Sequence, residues 1–174
     1  MAEQEILKMG NPILREIAEP IKEFNTPELS QLIEDMKDTM IANDGVGLAA
    51  IQIGILKRVI IFGFEESSRY PQSPAIPMTV LINPSFKSLE TESETGWEGC
   101  LSIPGMRGLV PRFKKIQYSG YDFLGKKITR EVSDFHARVF QHELDHLDGL
   151  LYIDKIENYA NFGFTQELES ANAY

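Results

Sequence analysis

The stretch SDFHARVFQHELDHLDG, from Ser133 to Gly149, predicts a buried helix at the centre of the fold. Serine favours the position just before a helix and glycine the position just after one, so both ends of this helix are marked. Its large apolar residues are spread around the helix instead of following one stripe: Phe135, Val139, Phe140, Leu144 and Leu147. A helix that is apolar on most sides is normally buried, and we expect the rest of the chain to enclose it.

Upstream of this stretch, the sequence predicts one more helix and several strands. Residues 26–45 begin with the start signal Thr26-Pro27-Glu28, carry apolar residues at helical spacing and end at Asn43-Asp44-Gly45. Strands are predicted at 55–64, at 78–84 where Pro84 stops it, and at 85–95, 114–122 and 126–132, with a surface loop over 65–77. This order indicates an α+β fold, with mostly antiparallel sheets packed around the central helix that carries the HExxH motif.

Length and composition limit the class of protein. With 174 residues, the chain is long enough for one compact domain, and residues 1–174 are predicted to form a single catalytic domain whose tail, about 158–174, shows no clear long helix. The net charge of −9 argues against DNA or RNA as a general partner, because phosphate binding needs a basic surface. A single cysteine, no signal-peptide pattern and no apolar run of membrane-spanning length favour a cytoplasmic protein without disulfides or membrane contact.

The segment QHELDHLDG within the central helix has the spacing of a zinc hydrolase motif. His142 and His146 are four residues apart, so both project from one helix face and can bind one metal ion. Glu143 follows the first histidine, where a general base for a metal-activated water belongs. One metalloprotease class has a third histidine six residues after the second, but this chain has Tyr152 there.

The third metal ligand has several candidates in the sequence. His136 lies six residues before His142 and is expected to face elsewhere on the helix. A downstream carboxylate is a second possibility, and the candidates for it are Glu157, Glu167 and Glu169. Cys100 is a third possibility, because WEGCLSIPG gives its thiol an irregular backbone that is unusual for a cysteine serving only as core filler. One cysteine and two histidines would leave a fourth tetrahedral position open to water.

The segment GVGLAAIQIG, from Gly45 to Gly54, contains a Gly-x-Gly-x-x-Ala pattern typical of dinucleotide sites. Such sites need a strand before the glycines and a helix after them, whereas here a helix precedes and a strand follows, so the nucleotide interpretation fails. Small residues instead allow the backbone to approach a ligand closely. Gln52 offers an amide that can stabilise a developing oxyanion, although a glutamine taken alone is expected at the surface.

Three segments together resemble the peptide deformylase family. GVGLAAIQIG, EGCLS and QHELDHLDG match the three signature motifs of that family in order and spacing, and the resemblance extends over about residues 5 to 155. It implies a metal-dependent hydrolase that removes the formyl group from the N-terminal formylmethionine of nascent polypeptides and releases formate.

The resemblance also implies a role for each matched residue. Cys100, His142 and His146 would hold the metal, and Glu143 would act as general base and acid. Gln52 and the backbone N–H of Leu101 would form the oxyanion hole. The substrate would pair with backbone around Val46, Gly47 and Gly99, and its methionine would enter a pocket lined by Val46, Phe135 and Val139 with His142 at the base.

Cofactor and partners follow from the same resemblance. We expect one divalent metal ion per chain, Fe²⁺ physiologically, with Zn²⁺, Ni²⁺ or Co²⁺ as substitutes, since one thiolate and two imidazoles suit these metals. The expected partners are nascent formyl-methionine peptides, with transient ribosome association, no DNA and no membrane, and the expected oligomeric state is a monomer. Two rival functions are an HExxH metalloprotease with a downstream glutamate ligand and a non-catalytic homologue that binds formyl peptides.

Two further segments bear on substrate access. Arg107, Arg112, Lys114 and Lys115 form a local basic cluster, for which a solvated strand face is the favoured interpretation over a docking surface for a carboxylate or RNA. The proline-rich segment Ser67–Pro77 is a candidate insertion that either shapes the substrate entrance or has no role.

Overall fold

The computed structural model describes residues 3–171, so the last three residues of the predicted tail lie outside the described part. The main helices are α1 (Pro27–Ala42), α2 (Asp134–Leu147) and the short α3 (Thr165–Ser170). The strands are β1 (Gly47–Ala49), β2 (Val59–Phe64), β3 (Ile76–Ser88), β4 (Ser93–Cys100), β5 (Ile103–Phe113), β6 (Lys115–Tyr121), β7 (Lys127–Ser133) and β8 (Phe162–Phe164). No helix within residues 3–171 is both long and apolar enough to cross a membrane.

Two antiparallel sheets form the framework, in agreement with the predicted α+β class. One sheet has the strand order β1-β2-β3-β6-β7 and the other has the order β4-β5-β8. Helix α2 contacts β1, β2, β3, β6 and β7 of the first sheet and β5 of the second. Ten of its side chains are buried, which confirms the buried helix predicted between Ser133 and Gly149.

Strand β2 is buried on both faces because one helix covers each face of the first sheet. Ile60 and Phe62 belong to the core formed with α2, whereas Val59 and Ile61 belong to the core formed with α1. A strand that is apolar at every position is expected in such a sandwiched place. The N-terminal start of α1 is confirmed as well, since the Thr26 side chain accepts a hydrogen bond from the Leu29 N–H.

Several strand boundaries were predicted wrongly. Pro84 does not end β3, because the register shifts at a bulge between Ile82 and Ser85, where a proline is tolerated. The predicted strand 85–95 is instead the end of β3, a turn and the start of β4. β2 begins at Val59 and not at residue 55, and the loop predicted over 65–77 ends where β3 begins at Ile76.

Strand β5 was not predicted, since Pro104, Gly105, Gly108 and Pro111 are typical of turns. Its pairing explains why prolines are accepted. β8 pairs only with residues 106–108, so Pro111 lies where β5 has β4 as its one neighbour. Cys100 pairs with Ile103, and only two residues separate them, so the cysteine stands at the last position of β4 before a tight turn.

Candidate metal centre and catalytic pocket

Cys100, His142 and His146 meet at the junction of the two sheets. Their ligand atoms all lie within 4.8 Å of one another, and all three side chains are buried. The distance from Cys100 Sγ to His146 Nε2 is 3.3 Å. Within residues 3–171 this is the one cluster of three or more Cys, His, Asp or Glu ligand atoms at such spacing. One sulfur and two imidazole nitrogens from a rigid strand end and a helix fit a divalent transition metal with an open fourth position.

The environment of the thiol favours the charged form that binds a metal. Burial acts to raise the pKa of the Cys100 thiol, but the imidazoles of His146 and His142 outweigh it and hold the pKa well below its ordinary value. The Ser102 N–H and the Gln52 side-chain amide lie 3.4 and 3.5 Å from the sulfur. Donors around the sulfur stabilise a thiolate, so this cysteine is prepared to act as a ligand.

Glu98 fixes the orientation of His142. One Glu98 oxygen lies 2.8 Å from His142 Nδ1 and 2.9 Å from Arg112 Nη2, and the other accepts hydrogen bonds of 2.9 Å from Arg112 Nε and Arg138 Nη1. Arg112 also pairs with Asp145 at 2.5 Å. Because Nδ1 is occupied by the carboxylate, Nε2 of His142 is the nitrogen left to bind a metal. Burial acts to raise the pKa of Glu98, but Arg112 and His142 hold it far below its ordinary value.

Arg138 joins α2 to the second sheet. Its Nη1 donates to the Val110 carbonyl at 2.8 Å and to the Gly96 carbonyl at 3.3 Å, and its Nη2 donates to the Glu94 carbonyl at 2.6 Å. A β-carbon on Gly96 would lie 2.9 Å from the guanidinium carbon, so glycine is the residue that leaves room for this contact. One arginine therefore holds two strands and the carboxylate that orients His142.

Glu143 projects into the same pocket from the adjacent helix position. Its Oε2 atom is buried and has no hydrogen-bond partner in the protein, and burial raises the pKa of Glu143 to about 7. A β-carbon on Gly47 would lie 2.7 Å from the Glu143 carboxyl carbon, so the carboxylate fills space that any other residue at position 47 would occupy. A carboxyl group with this pKa can exchange a proton near neutral pH, and a bound cation would lower its pKa again.

The predicted oxyanion donors lie beside the cluster. Gln52 is buried, against the expectation for a lone glutamine, because its side-chain carbonyl accepts the Ala49 N–H at 2.8 Å. Its Nε2 donates to the Ser102 hydroxyl at 3.1 Å and also lies next to the Cys100 sulfur. Leu101 occupies the two-residue turn directly after Cys100. Both residues line the pocket in front of the three metal ligands.

The pocket contains every residue predicted to bind substrate. Its lining is Val46, Gly47, Gln52, Arg69, Tyr70, Glu98, Gly99, Cys100, Leu101, Phe135, Arg138, Val139, His142 and Glu143. Tyr70, from the segment Ser67–Pro77, packs its ring 4.9 Å from the Phe135 ring, and its hydroxyl accepts the Gly99 N–H at 3.3 Å. The segment therefore forms part of the pocket wall.

The other third-ligand candidates lie outside the cluster. Glu157, Glu167 and Glu169 are exposed, and none of them belongs to the group of metal-binding side chains. His136 faces Tyr118, with 3.4 Å between Nε2 and the phenol oxygen. Tyr152, at the place of the protease's third histidine, stacks its ring 6.0 Å from that of His142. These positions do not favour a protease with a downstream glutamate ligand.

Arg112 and Arg138 are parts of the site that the sequence interpretation missed. The expectation of a solvated face was wrong for Arg107 and Arg112, which are both buried. Arg138 is four residues before His142, so helical spacing alone placed it on the face of the histidines. The helical spacing was visible in the sequence. An arginine is usually exposed unless it has a buried partner, and the sequence did not identify Glu98 as that partner.

Comparisons with known proteins agree with this geometry. Residues 3–161 match the family model described as polypeptide deformylase. The chain is 55% identical over 163 residues to "Peptide deformylase 1" of Bordetella pertussis, which covers 94% of this chain and 93% of that protein. "Peptide deformylase 2" of Ralstonia nicotianae is also 55% identical, with 94% and 92% covered.

Solved structures show the same similarity. The Met-Ala-Ser-bound class I type b peptide deformylase from Acinetobacter baumannii superposes with a TM-score of 0.86 at 38% identity, covering 89% of this chain and 99% of that one. The peptide deformylase from Thermotoga maritima gives a TM-score of 0.80 at 35% identity, with 91% and 100% covered.

Proposed function

The chain belongs to the polypeptide deformylase family, and on this basis we propose that Cys100, His142 and His146 hold its catalytic metal while Glu143 transfers the protons. It is a hydrolase that removes the formyl group from an N-terminal formylmethionine. The observation that supports the residue assignment best is the meeting of three metal donors from two distant segments beside a buried carboxylate.

When bound, a divalent metal supplies Lewis acidity at this position and makes water nucleophilic at neutral pH. Glu143 takes a proton from the attacking water, whose oxygen bonds to the formyl carbon. The C–N bond then breaks, and Glu143 delivers the proton to the leaving amine, so that formate and a free N-terminus result. Burial raises the pKa of Glu143 and a bound cation lowers it again, and these opposing effects suit a carboxyl group that must both take and return a proton.

Gln52 and Leu101 stabilise the negative charge that develops on the formyl oxygen. The carbonyl of Gln52 is held by the Ala49 N–H, which keeps its Nε2 donor beside Cys100. The backbone N–H of Leu101 is the second donor, placed by the tight turn after β4. Donors fixed before the reaction need no reorganisation when the charge forms, which is why such a pair lowers the barrier.

The substrate's first residue lies between the edge backbone at Val46, Gly47 and Gly99, and its side chain enters the pocket beside Phe135 and Val139. The formyl group is the smallest acyl group. Exclusion of larger acyl groups by the walls of the pocket is part of the proposal.

The physiological metal in this proposal is Fe²⁺, with Zn²⁺, Ni²⁺ or Co²⁺ as substitutes. One thiolate and two imidazole donors suit all of these metals, and the choice of Fe²⁺ rests on the family resemblance. Residues 1–174 act as one catalytic domain, as a monomer in the cytoplasm. The substrates are nascent formyl-methionine peptides, met during transient association with the ribosome.

The test is anaerobic purification with metal analysis, followed by measurement of formate released from formyl-Met-Ala-Ala. Wild type should release formate, and Glu143→Gln should retain the metal while losing at least about a thousandfold in kcat, because it lacks the proton carrier. Glu157→Gln, a change at an exposed carboxylate, is the matched control and should match wild type. Metal-loaded wild type without formate release would refute the proposal.

A further inference from the structure

Arg69 is a cation fixed at the mouth of the catalytic pocket. Its backbone carbonyl accepts a hydrogen bond of 2.9 Å from Arg107 Nη2, and its N–H donates to the Ser67 hydroxyl at 3.2 Å. Its guanidinium carbon lies 5.8 Å from the centre of the Tyr70 ring. The guanidinium reaches over Gly99, where a β-carbon would lie 3.4 Å from Arg69 Nη2. The charge is therefore held next to the backbone along which a substrate would lie.

A second groove continues from the pocket at this point. The pocket and the groove share Arg69, Cys100 and Leu101, so the groove begins at the metal ligands. Lys8 and Arg107 are its other cationic lining residues, and no aspartate or glutamate lines it. Lys8 Nζ donates to the Leu101 carbonyl at 3.0 Å. The chain has a net charge of −9, whereas all charged residues that line this groove are cations, so the sign of the charge is reversed locally.

No carboxylate of the described residues lies within ion-pair distance of Arg69. Within residues 3–171, Arg69 makes no ion pair, whereas the buried Arg112 and Arg138 both pair with Glu98. Arg69 is half-buried, so an anion that approaches through the groove meets it with reduced solvent screening. A negatively charged ligand in the groove would be attracted by Arg69, Lys8 and Arg107 together.

We propose that Arg69 selects acidic side chains among the residues that follow the formylmethionine, where the substrate chain passes along this groove. This inference rests on the proposed function, since the first residue must occupy the pocket for the following residues to reach the groove. An aspartate or glutamate within the next three residues forms an ion pair with Arg69, whereas a lysine is repelled. The segment Ser67–Pro77 thereby sets a charge preference for the nascent chain.

The test compares kcat/KM for three C-terminally amidated peptides, formyl-Met-Ala-Asp-Ala, formyl-Met-Ala-Ala-Ala and formyl-Met-Ala-Lys-Ala, at low and high ionic strength. Wild type should favour the aspartate peptide over the lysine peptide by about fivefold at low salt, mainly through KM, which is the upper range for one partly exposed ion pair. The preference should approach unity at about 0.5 M salt, because screening weakens such pairs.

Variants at Arg69 distinguish selection of peptide side chains by charge from an effect of the size or packing of Arg69. Arg69→Lys should keep the aspartate preference, and Arg69→Glu should invert it in favour of lysine. Lys114→Glu makes the same change in net charge outside the groove and should leave the wild-type ratio intact. Each ratio is measured within one variant, so partial misfolding does not affect it.

Equal rates for the three peptides in wild type would overturn the inference, as would an aspartate preference that survives Arg69→Glu. Failure of the proposed function gives a different result, since wild type would then release no formate even from the neutral peptide.

Discussion

Replacing Glu98 by glutamine removes one negative charge that three buried cationic or polar groups share. The carboxylate accepts four hydrogen bonds of 2.8–2.9 Å, from Arg112, Arg138 and His142. Glutamine has the same shape, but only its oxygen can accept. Whichever way the amide is turned, its NH₂ group faces two donors on the other side, and the two arginines lose the charge opposite them.

The expected loss of stability is large because the partners are buried: the side chains of Glu98 and Arg112 are only 4% and 5% exposed. Removing one partner of a buried ion pair costs about 3–5 kcal/mol. Losing two hydrogen bonds to charged groups at about 1.5–3 kcal/mol each gives a similar value. We therefore expect Glu98→Gln to lower the free energy of unfolding by about 4 kcal/mol, a large part of the roughly 5–15 kcal/mol typical of a domain.

The assay is denaturant unfolding of the metal-free protein, with Glu92→Gln as control. Glu92 is 65% exposed and its nearest cation, Lys114 Nζ, is 3.8 Å away, so this change should alter stability by less than about 0.5 kcal/mol. Metal competition provides a second measurement, where loss of the group that orients His142 should weaken affinity by about 10–100-fold. A destabilisation below about 1 kcal/mol with unchanged metal affinity would refute the reasoning that ionised Glu98 holds this network.

Three further changes test other parts of the structure. Cys100→Ser should abolish tight metal binding, measured by metal analysis after dialysis, and retained metal with activity would exclude the thiolate as ligand. Gly47→Ala should displace the Glu143 carboxylate and reduce kcat at least about tenfold with little change in metal content; wild-type kcat would contradict the close contact. Burial acts to raise the pKa of Asp154, but hydrogen bonds, above all from Arg15, hold it below its ordinary value, so this pair stabilises the fold above about pH 4 and the contribution is lost as pH falls through the lowered pKa. Asp154→Asn should therefore cost roughly 0.5–1 kcal/mol at pH 6 and progressively less as the pH falls through the lowered pKa, and a cost that does not change with pH would refute the assignment.

The sequence was informative where the signals are local. The caps and the apolar positions of α2 lie within one stretch, and so does the spacing of His142 and His146. The pairing of β5 was invisible because Pro104, Pro111 and two glycines are compatible with a strand only when the neighbouring strands leave them room. Strand neighbours are a property of the whole fold, so composition alone indicated a loop.

The buried charges were missed for a related reason. Arg112 and Arg138 donate hydrogen bonds to Glu98, and the three residues lie on three separate elements. Each can be buried only because the others pair with it, so the sequence of one element does not predict its burial. Glu98 precedes Cys100 by two residues in β4, which placed the carboxylate near the thiol in the sequence. The sequence did not show that Glu98 contacts α2, where it pairs with His142.

The position of α2 also determines the order in which the molecule can assemble. The first sheet is covered on its inner face by a helix that lies about 80 residues after β2, and the N-terminal segment docks on the end of that helix through the hydrogen bond from the Ala18 N–H to the Leu147 carbonyl. At synthesis rates of about 5–20 residues per second, Ile60 and Phe62 remain without their packing partners on α2 for roughly 4–16 seconds. A shorter delay of roughly 2–9 seconds applies to the metal centre, because Cys100 is made about 45 residues before the two histidines. A chain that has not yet added α2 would therefore expose the apolar face of the first sheet. The rate at which α2 covers this face determines how long the growing chain is vulnerable to aggregation.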